Sequence, residues 1–325
     1  MKLLIVCISL SILFFSCNDT PKTSTIENQD TAIQKPVFKS TIFNEDNAFD
    51  YVKAQVDFGP RVPGTAAHSA CHAYYTKHFK SLADTVYFQN TTAKTFDNTI
   101  IPIKNIIASF NPKASKRILL AAHWDTRPFA DQDTKDKDKP ILGANDGASG
   151  VGVLMEIANV LKDNKIDIGI DIILFDSEDW GDNSGKVEDS YCLGSQYWGK
   201  NPHISNYKAN FGILLDMVGA PGAMFGYEGY SLSDAREYLT IIWEAAATAG
   251  YGSYFRNSPR GYVLDDHYYV MKYTGIPMVN IIDFDPSTSS NFGRYWHTHN
   301  DNMDMIDKKT LKAVGQTVLN VIYNY

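Results

Sequence analysis

The segment that determines the fold reads KRILLAAHWD and spans residues 116–125. Its apolar core, residues 118–122, is typical of a strand that is buried on both faces of a sheet. His123, Trp124 and Asp125 follow this core directly. In an open α/β sheet, ligands bind beyond the carboxyl ends of the strands. The segment therefore predicts both a central strand and a polar site at its end.

Apolar runs of the same kind alternate with helical periodicity along the chain. Further strands are predicted at 85–88, 100–110, 168–175, 211–217 and 277–282. Helices are predicted at 44–56, 66–82, 148–161, 232–247 and 308–323. This alternation predicts a single α/β domain with a central mixed, mostly parallel sheet and helices on both faces.

The composition favours a globular protein that does not bind nucleic acid. The chain has 325 residues, of which 44% are hydrophobic and 21% charged, which is ordinary for a folded domain. The formal net charge is -7, and we find no block rich in Lys and Arg. Both features argue against nucleic acid as a partner.

The amino terminus resembles a bacterial lipoprotein signal. Lys2 precedes an apolar run that is too short to span a bilayer and that ends at Ser16 and Cys17. We expect residues 1–16 to be the signal peptide and Cys17 to carry a lipid. Residues 17–41 would form a flexible tether and residues 42–325 the catalytic domain. The alternative is an ordinary signal peptide in which Cys17 has no role.

A lipid at Cys17 would place the domain at the bacterial cell envelope, on the periplasmic or surface side, with the membrane contacted only through the anchor. Cys71 and Cys192 then remain. An oxidising compartment permits a disulfide between them, and two separate buried thiols are the alternative.

Histidine and carboxylate residues gather where the predicted strands end, a pattern that favours a zinc site. Several also have a simpler explanation when taken alone: Asp146 could be a helix N-cap, and the acidic residues after the strand at 168–175 could form a solvated loop. Asp216 has none, because an unpaired carboxylate among apolar residues is costly. The residues concerned are His123, Asp125, Asp146, Asp176, Glu178, Asp179, Asp216, His297 and His299.

Several motifs resemble the zinc aminopeptidase and glutaminyl cyclase superfamily, in the same order along the chain. They are HWD at 123–125, GANDGASG at 143–150, SED at 177–179, Asp216, DDH at 265–267 and WHT at 296–298. The resemblance extends from about Phe49 to the carboxyl terminus. The run HWDTRPFAD at 123–131 and residues 292–297 are most similar to bacterial glutaminyl cyclases of the animal type.

The resemblance implies a role for each matching residue. Asp146, Asp179 and His297 would bind one Zn²⁺ per chain, and Glu178 would be the proton shuttle. Asp216 and Asp265 would orient Glu178 or share protons with it. Trp296, Phe292 and Trp180 would line the substrate pocket. At Asn280 the chain departs from the animal enzymes, which have histidine there.

The implied activity is conversion of amino-terminal glutamine in peptides or proteins to pyroglutamate, with release of ammonia. The rival is a two-zinc aminopeptidase, in which His123 and Asp216 bind a second ion and Asp146 bridges the pair. A third alternative is a lipid-anchored binding protein that has lost catalysis, although the intact Glu178 and ligand set argue against it.

Substitution of Cys17 by serine removes the thiol to which a lipid would be attached. We expect Cys17→Ser to move the protein from the membrane fraction to the soluble fraction after cell fractionation. Continued membrane association of this variant would contradict lipidation at Cys17.

Overall fold

The computed structural model describes residues 41–325. The predicted signal peptide at 1–16, the lipidation of Cys17 and all but the last residue of the tether at 17–41 lie outside these residues. In the part that is described, no helix combines the length and the hydropathy that crossing a membrane requires.

Within residues 41–325 the chain forms eight α-helices and eight strands. The helices are α1 (Glu45–Val56), α2 (Ala66–Leu82), α3 (Ala148–Asp163), α4 (Leu193–Lys200), α5 (Gly229–Asp234), α6 (Arg236–Thr248), α7 (Asp266–Thr274) and α8 (Lys308–Asn324). The strands are β1 (Thr85–Lys94), β2 (Ile100–Phe110), β3 (Arg117–His123), β4 (Gly169–Phe175), β5 (Phe211–Asp216), β6 (Phe225–Tyr227), β7 (Phe255–Pro259) and β8 (Met278–Ile282).

Six strands form one mixed sheet in the order β1-β2-β4-β3-β5-β8. The pairs β1–β2 and β2–β4 are antiparallel, and β3 pairs in parallel with both β4 and β5, as β5 does with β8. All seven residues of β3 are buried. The predicted α/β fold, with a mixed and mostly parallel sheet, is confirmed, and KRILLAAHWD supplies its central strand.

The two faces of β3 pack in different cores, since alternate residues of a strand point in opposite directions. Leu120 and Ala122 join the larger core, to which α1, α2, α3, α6 and α8 contribute. Leu119 and Ala121 join a smaller core with Trp198 of α4. Helices therefore cover both faces, and the polar ends of β3, β4 and β5 emerge together at one edge.

Three local features differ from the sequence predictions. The helix predicted at 232–247 is two helices, because Ala235 leaves the helical conformation with φ −133° and ψ 26°. Helices α4 and α7 were not predicted, since each spans fewer than ten residues. The two-stranded sheet of β6 and β7 was also missed.

The two described cysteines do not form a disulfide. Cys71 in α2 and Cys192 before α4 are both free and buried. The alternative of two separate buried thiols is the one that the structure contains.

Gly150 allows α3 to lie directly on the sheet. A Cβ at this position would come within 2.2 Å of the Leu215 carbonyl oxygen and 2.9 Å of Ala122 Cβ. We expect Gly150→Ala to lower the free energy of unfolding by about 1–3 kcal/mol, because α3 must move off β3 and β5. Urea unfolding measures this change.

Gly252 supplies the matched control, since no heavy atom lies within 4 Å of a Cβ built there. Gly252→Ala should leave the urea midpoint almost unchanged. Equal midpoints for the two variants would contradict close packing of α3 at Gly150.

Candidate active site

Asp146, Asp179 and His297 converge at the edge of the sheet where β3, β4 and β5 end. His297 Nε2 lies 3.1 Å from Asp179 Oδ1 and 3.8 Å from Asp146 Oδ2. All three residues are at most 4% exposed, and one ligand atom from each lies within 4.8 Å of the others. Asp179 Oδ2 is buried without a hydrogen-bond partner in residues 41–325. A divalent cation would satisfy this oxygen, so the three residues fit the zinc ligands of the sequence prediction.

Asp146 is held by its backbone rather than used as a helix cap. Gly147 is the N-cap of α3, and no side chain caps the helix there. The Asp146 N–H donates to Asp301 Oδ2 at 3.0 Å, and the Asn145 N–H donates to Asp301 Oδ1 at 2.7 Å. The explanation of Asp146 as an N-cap is therefore wrong, and its carboxylate is free to face the cluster.

Asp125 and Arg127 position the loop that carries Glu178 and Asp179. Asp125 accepts hydrogen bonds from the N–H groups of Glu178 and Asp179, at 3.0 and 3.2 Å. Arg127 donates to the Asp179 carbonyl at 2.8 Å, and its guanidinium lies 3.5 Å from Asp179 Oδ1. The acidic residues after β4 thus form an ordered, buried loop instead of a solvated one.

The second ring nitrogen of His297 faces polar groups that orient the imidazole. Nδ1 lies 3.4 Å from Asp131 Oδ1 and 3.2 Å from Asn183 Nδ2. Arg127 makes two hydrogen bonds to Asp131, both 2.8 Å long, and the Trp296 ring stacks on His297 with centroids 3.7 Å apart. Such contacts direct Nε2 toward the cluster.

A second cluster shares Asp146 with the first. His123 Nε2 lies 2.9 Å from Asp146 Oδ1 and 3.4 Å from Asp216 Oδ1. These three residues also present ligand atoms within 4.8 Å of one another. The predicted second-metal candidates therefore lie where a second ion would need them.

Glu178 lies beside both clusters. Its Oε1 accepts a hydrogen bond from Cys192 Sγ at 3.3 Å, and its Oε2 lies 4.0 Å from His123 Nδ1. Burial raises the pKa of Glu178 well above its ordinary value; His123 opposes this shift, and the nearby Asp179 and Asp265 carboxylates add to it. A carboxyl group with a raised pKa suits proton transfer near neutral pH.

The carboxylates of Asp216 and Asp265 do not hydrogen-bond to Glu178 in the described chain. Asp265 caps α7 through the Asp266 N–H and accepts from Asn280 Nδ2 at 2.6 Å. Asn280 thus binds Asp265 where the animal enzymes have histidine. Burial raises the pKa of Asp216 to about 7, and Asp265 contributes by charge repulsion. Asp265 is near enough to Glu178 to raise the pKa of that carboxyl group by charge repulsion.

These residues lie at a cavity of about 590 Å³. Phe292 and Trp296 line it, and their ring centroids are 4.9 Å apart. Trp180, a predicted pocket residue, is not part of the lining. Its indole N–H donates to Asp97 at 3.2 Å and its ring contacts Phe129. Arg127 binds the carbonyls of Asp179 and Gly181, on both sides of Trp180.

The geometry agrees with comparisons with known proteins. Residues 105–322 match the model of Peptidase family M28, which covers more than half of the chain. The chain belongs to peptidase family M28. The superfamily resemblance found in the motifs is thereby confirmed.

Two solved structures resemble this M28 protein closely. They are a glutaminyl cyclase from Tannerella forsythia and a Zn-dependent exopeptidase from Parabacteroides distasonis. Each is 49% identical, has a TM-score of 0.86, and covers 88% of this chain and 100% of its own. A glutaminyl-peptide cyclotransferase from Bos taurus is 25% identical over 82% of this chain and 78% of its own length.

Sequence reasoning about this M28 protein missed Arg127, Asp131, Cys192 and Asp301. The first two lie in HWDTRPFAD, which was noted as a motif but given no role beyond resemblance. Arg127 is 1% exposed, and a buried guanidinium needs partners. Nothing in the sequence near Cys192 or Asp301 indicates that either approaches the cluster.

The two clusters of candidate metal ligands, one with His297 and one with His123, predict different zinc contents for single variants. We expect His297→Ala to abolish binding of zinc to the purified protein, because it removes the nitrogen ligand beside Asp146 and Asp179. His123→Ala should keep about one zinc per chain. Elemental analysis after dialysis against a weak chelator measures both. Full zinc occupancy in His297→Ala would reassign the ligand.

Proposed function

We propose that the chain is a glutaminyl cyclase, which converts amino-terminal glutamine of peptides or proteins to pyroglutamate and ammonia. The observation that carries the proposal is the position of Glu178, a carboxyl group with a raised pKa beside the Asp146–Asp179–His297 cluster. The similarity to a cyclase over the full length of that enzyme's structure supports it further.

One Zn²⁺ per chain would be held by Asp146, Asp179 and His297. Bound there, it would act as a Lewis acid toward the side-chain amide carbonyl of the substrate. The unpartnered Asp179 Oδ2 and the mixed nitrogen and oxygen donor set are what support this assignment.

Glu178 would carry the proton that the reaction must move. The substrate's α-amine attacks the amide carbon of its own side chain, the new C–N bond closes a five-membered lactam, and the bond to the amide nitrogen breaks. Glu178 accepts a proton from the attacking amine and delivers it to the departing nitrogen, which leaves as ammonia. Asp265, whose carboxylate also lines the cavity, would hold that nitrogen.

The cavity suits an amino terminus better than a carboxyl terminus. Eight of its lining residues are Asp or Glu, and none of the described residues that line it is Lys or Arg. A substrate carboxylate would therefore find no cation there, apart from a bound metal. Phe292 and Trp296 provide an apolar wall against which a glutamine side chain can be held in a reactive pose.

A two-zinc aminopeptidase is the second candidate, and the His123–Asp146–Asp216 cluster is the observation that favours it. In that enzyme Glu178 would activate a water molecule for hydrolysis. The Bos taurus glutaminyl-peptide cyclotransferase, which is matched over 78% of its own length, makes this candidate the weaker one.

We further propose that the enzyme acts at the cell envelope, anchored through Cys17 and facing the periplasm or the cell surface. This proposal rests on the amino-terminal sequence alone.

One assay distinguishes the two candidates. Purified protein is incubated with a glutamine-initiated dipeptide, ammonia and free amino acids are measured, and zinc is quantified. A cyclase with one zinc releases ammonia and no amino acid, whereas a peptidase with two releases free amino acids. Glu178→Gln is the control: it should lose at least about 100-fold in kcat with zinc still bound. Unchanged turnover would remove Glu178 from the mechanism.

A further inference from the structure

A cysteine is the hydrogen-bond donor to the Glu178 side chain. Cys192 Sγ lies 3.3 Å from Glu178 Oε1. Within residues 41–325 no other hydrogen bond reaches this carboxylate, since His123 Nδ1 at 4.0 Å from Oε2 is too distant. The resemblance predicted that Asp216 and Asp265 orient Glu178. Neither donates or accepts a hydrogen bond with it among the described residues, although an Asp265 oxygen lies within 4.8 Å of both a Glu178 oxygen and Cys192 Sγ.

Backbone hydrogen bonds hold Cys192 in place independently of its thiol. Its N–H donates to the Glu178 carbonyl at 2.8 Å, and the next N–H, of Leu193, donates to the Ser177 carbonyl at 3.0 Å. The Cys192 carbonyl accepts the Gln196 N–H at 3.0 Å as α4 begins. These backbone hydrogen bonds join the segment at Cys192 to the segment at Glu178. A substitution that changes only the Cys192 side chain leaves them intact.

The thiol remains protonated in these surroundings. Cys192 is fully buried, and burial raises the pKa of its thiol well above the ordinary value, with further contributions from the Glu178, Asp266 and Asp265 side chains. The group is therefore an S–H donor and not a thiolate nucleophile. A thiol is also a weak donor, so it restrains a carboxylate without holding it as strongly as an ion pair would.

We propose that Cys192 is a positioning residue for the proton shuttle. Its S–H donates to Oε1 and limits the rotation of the Glu178 carboxylate. Oε2 is thereby left to exchange the proton with the substrate amine and the leaving nitrogen. The inference rests on the proposed function in so far as it assigns that shuttle to Glu178.

The kinetic test compares Cys192→Ala with Cys192→Ser. The two side chains have similar volumes, so they leave similar cavities, but only serine keeps a donor. We expect Cys192→Ala to lower kcat for a glutamine-initiated dipeptide roughly five- to tenfold, with KM and zinc content unchanged. Cys192→Ser should recover most of the loss.

Cys71, which is also free and buried, controls for the loss of a buried thiol. Cys71→Ala should keep the wild-type kcat. A wild-type kcat in Cys192→Ala, or equal losses in the alanine and serine variants, would overturn the positioning role, since the second result reflects packing alone.

An infrared measurement tests the hydrogen bond without relying on activity. The difference spectrum of wild type minus Cys192→Ala isolates the S–H stretch of Cys192. We expect this band below the frequency of an unbonded thiol, and we expect it to rise in Glu178→Ala. A band at the unbonded frequency in the wild type would refute the inference. Failure of the wild type to release ammonia would refute the cyclase proposal and leave the infrared result standing.

Discussion

Five carboxylates that are buried, or nearly so, meet at one edge of the sheet, and their mutual repulsion is the constraint on which the site depends. They belong to Asp146, Glu178, Asp179, Asp216 and Asp265. Burying charge is costly unless it is paired, protonated or bound to metal. The site has a structural feature that corresponds to each of these three conditions. Arg127 and His297 lie 3.5 and 3.1 Å from Asp179 Oδ1, burial raises the pKa of Glu178, and the ligand geometry at Asp146 fits a cation.

The nine residues HWDTRPFAD organise this arrangement. Asp125 accepts hydrogen bonds from two backbone N–H groups of the loop after β4. Arg127 donates a hydrogen bond to Asp179 of that loop. Asp131 contacts both Arg127 and the imidazole of His297. The same short segment begins in β3 and contributes His123 to the second cluster. One continuous stretch therefore contacts site residues from three other parts of the chain, which are Asp146, the loop after β4 and His297.

Much of the fold followed from the sequence, because buried parallel strands and amphipathic helices leave apolar patterns of different period. Strand β2 and helix α2 were predicted with their observed bounds. Helices α4 and α7 escaped prediction because their buried faces include polar groups such as Gln196 and Asp266. Their burial depends on tertiary partners that no local pattern reveals.

The candidate site was predictable to a similar extent. Strand ends indicated where acidic and histidine side chains would gather, and their convergence is observed. The direction in which a loop residue points was not predictable, as Trp180 illustrates, because its side-chain partners Asp97 and Phe129 belong to distant segments of the chain. The contact between Cys192 and Glu178 was not predictable either, since it depends on hydrogen bonds between the segment before α4 and the loop after β4.

Asp146 directs one oxygen to each neighbouring histidine, Oδ1 toward His123 and Oδ2 toward His297. A carboxylate with that geometry serves one ion as a terminal ligand or two ions as a bridge without any change of backbone. The same position of Asp146 would therefore suit a transferase with one ion or a hydrolase with two, and other residues around it would decide between them. A structure described as an exopeptidase and one described as a glutaminyl cyclase resemble this chain equally, each with a TM-score of 0.86.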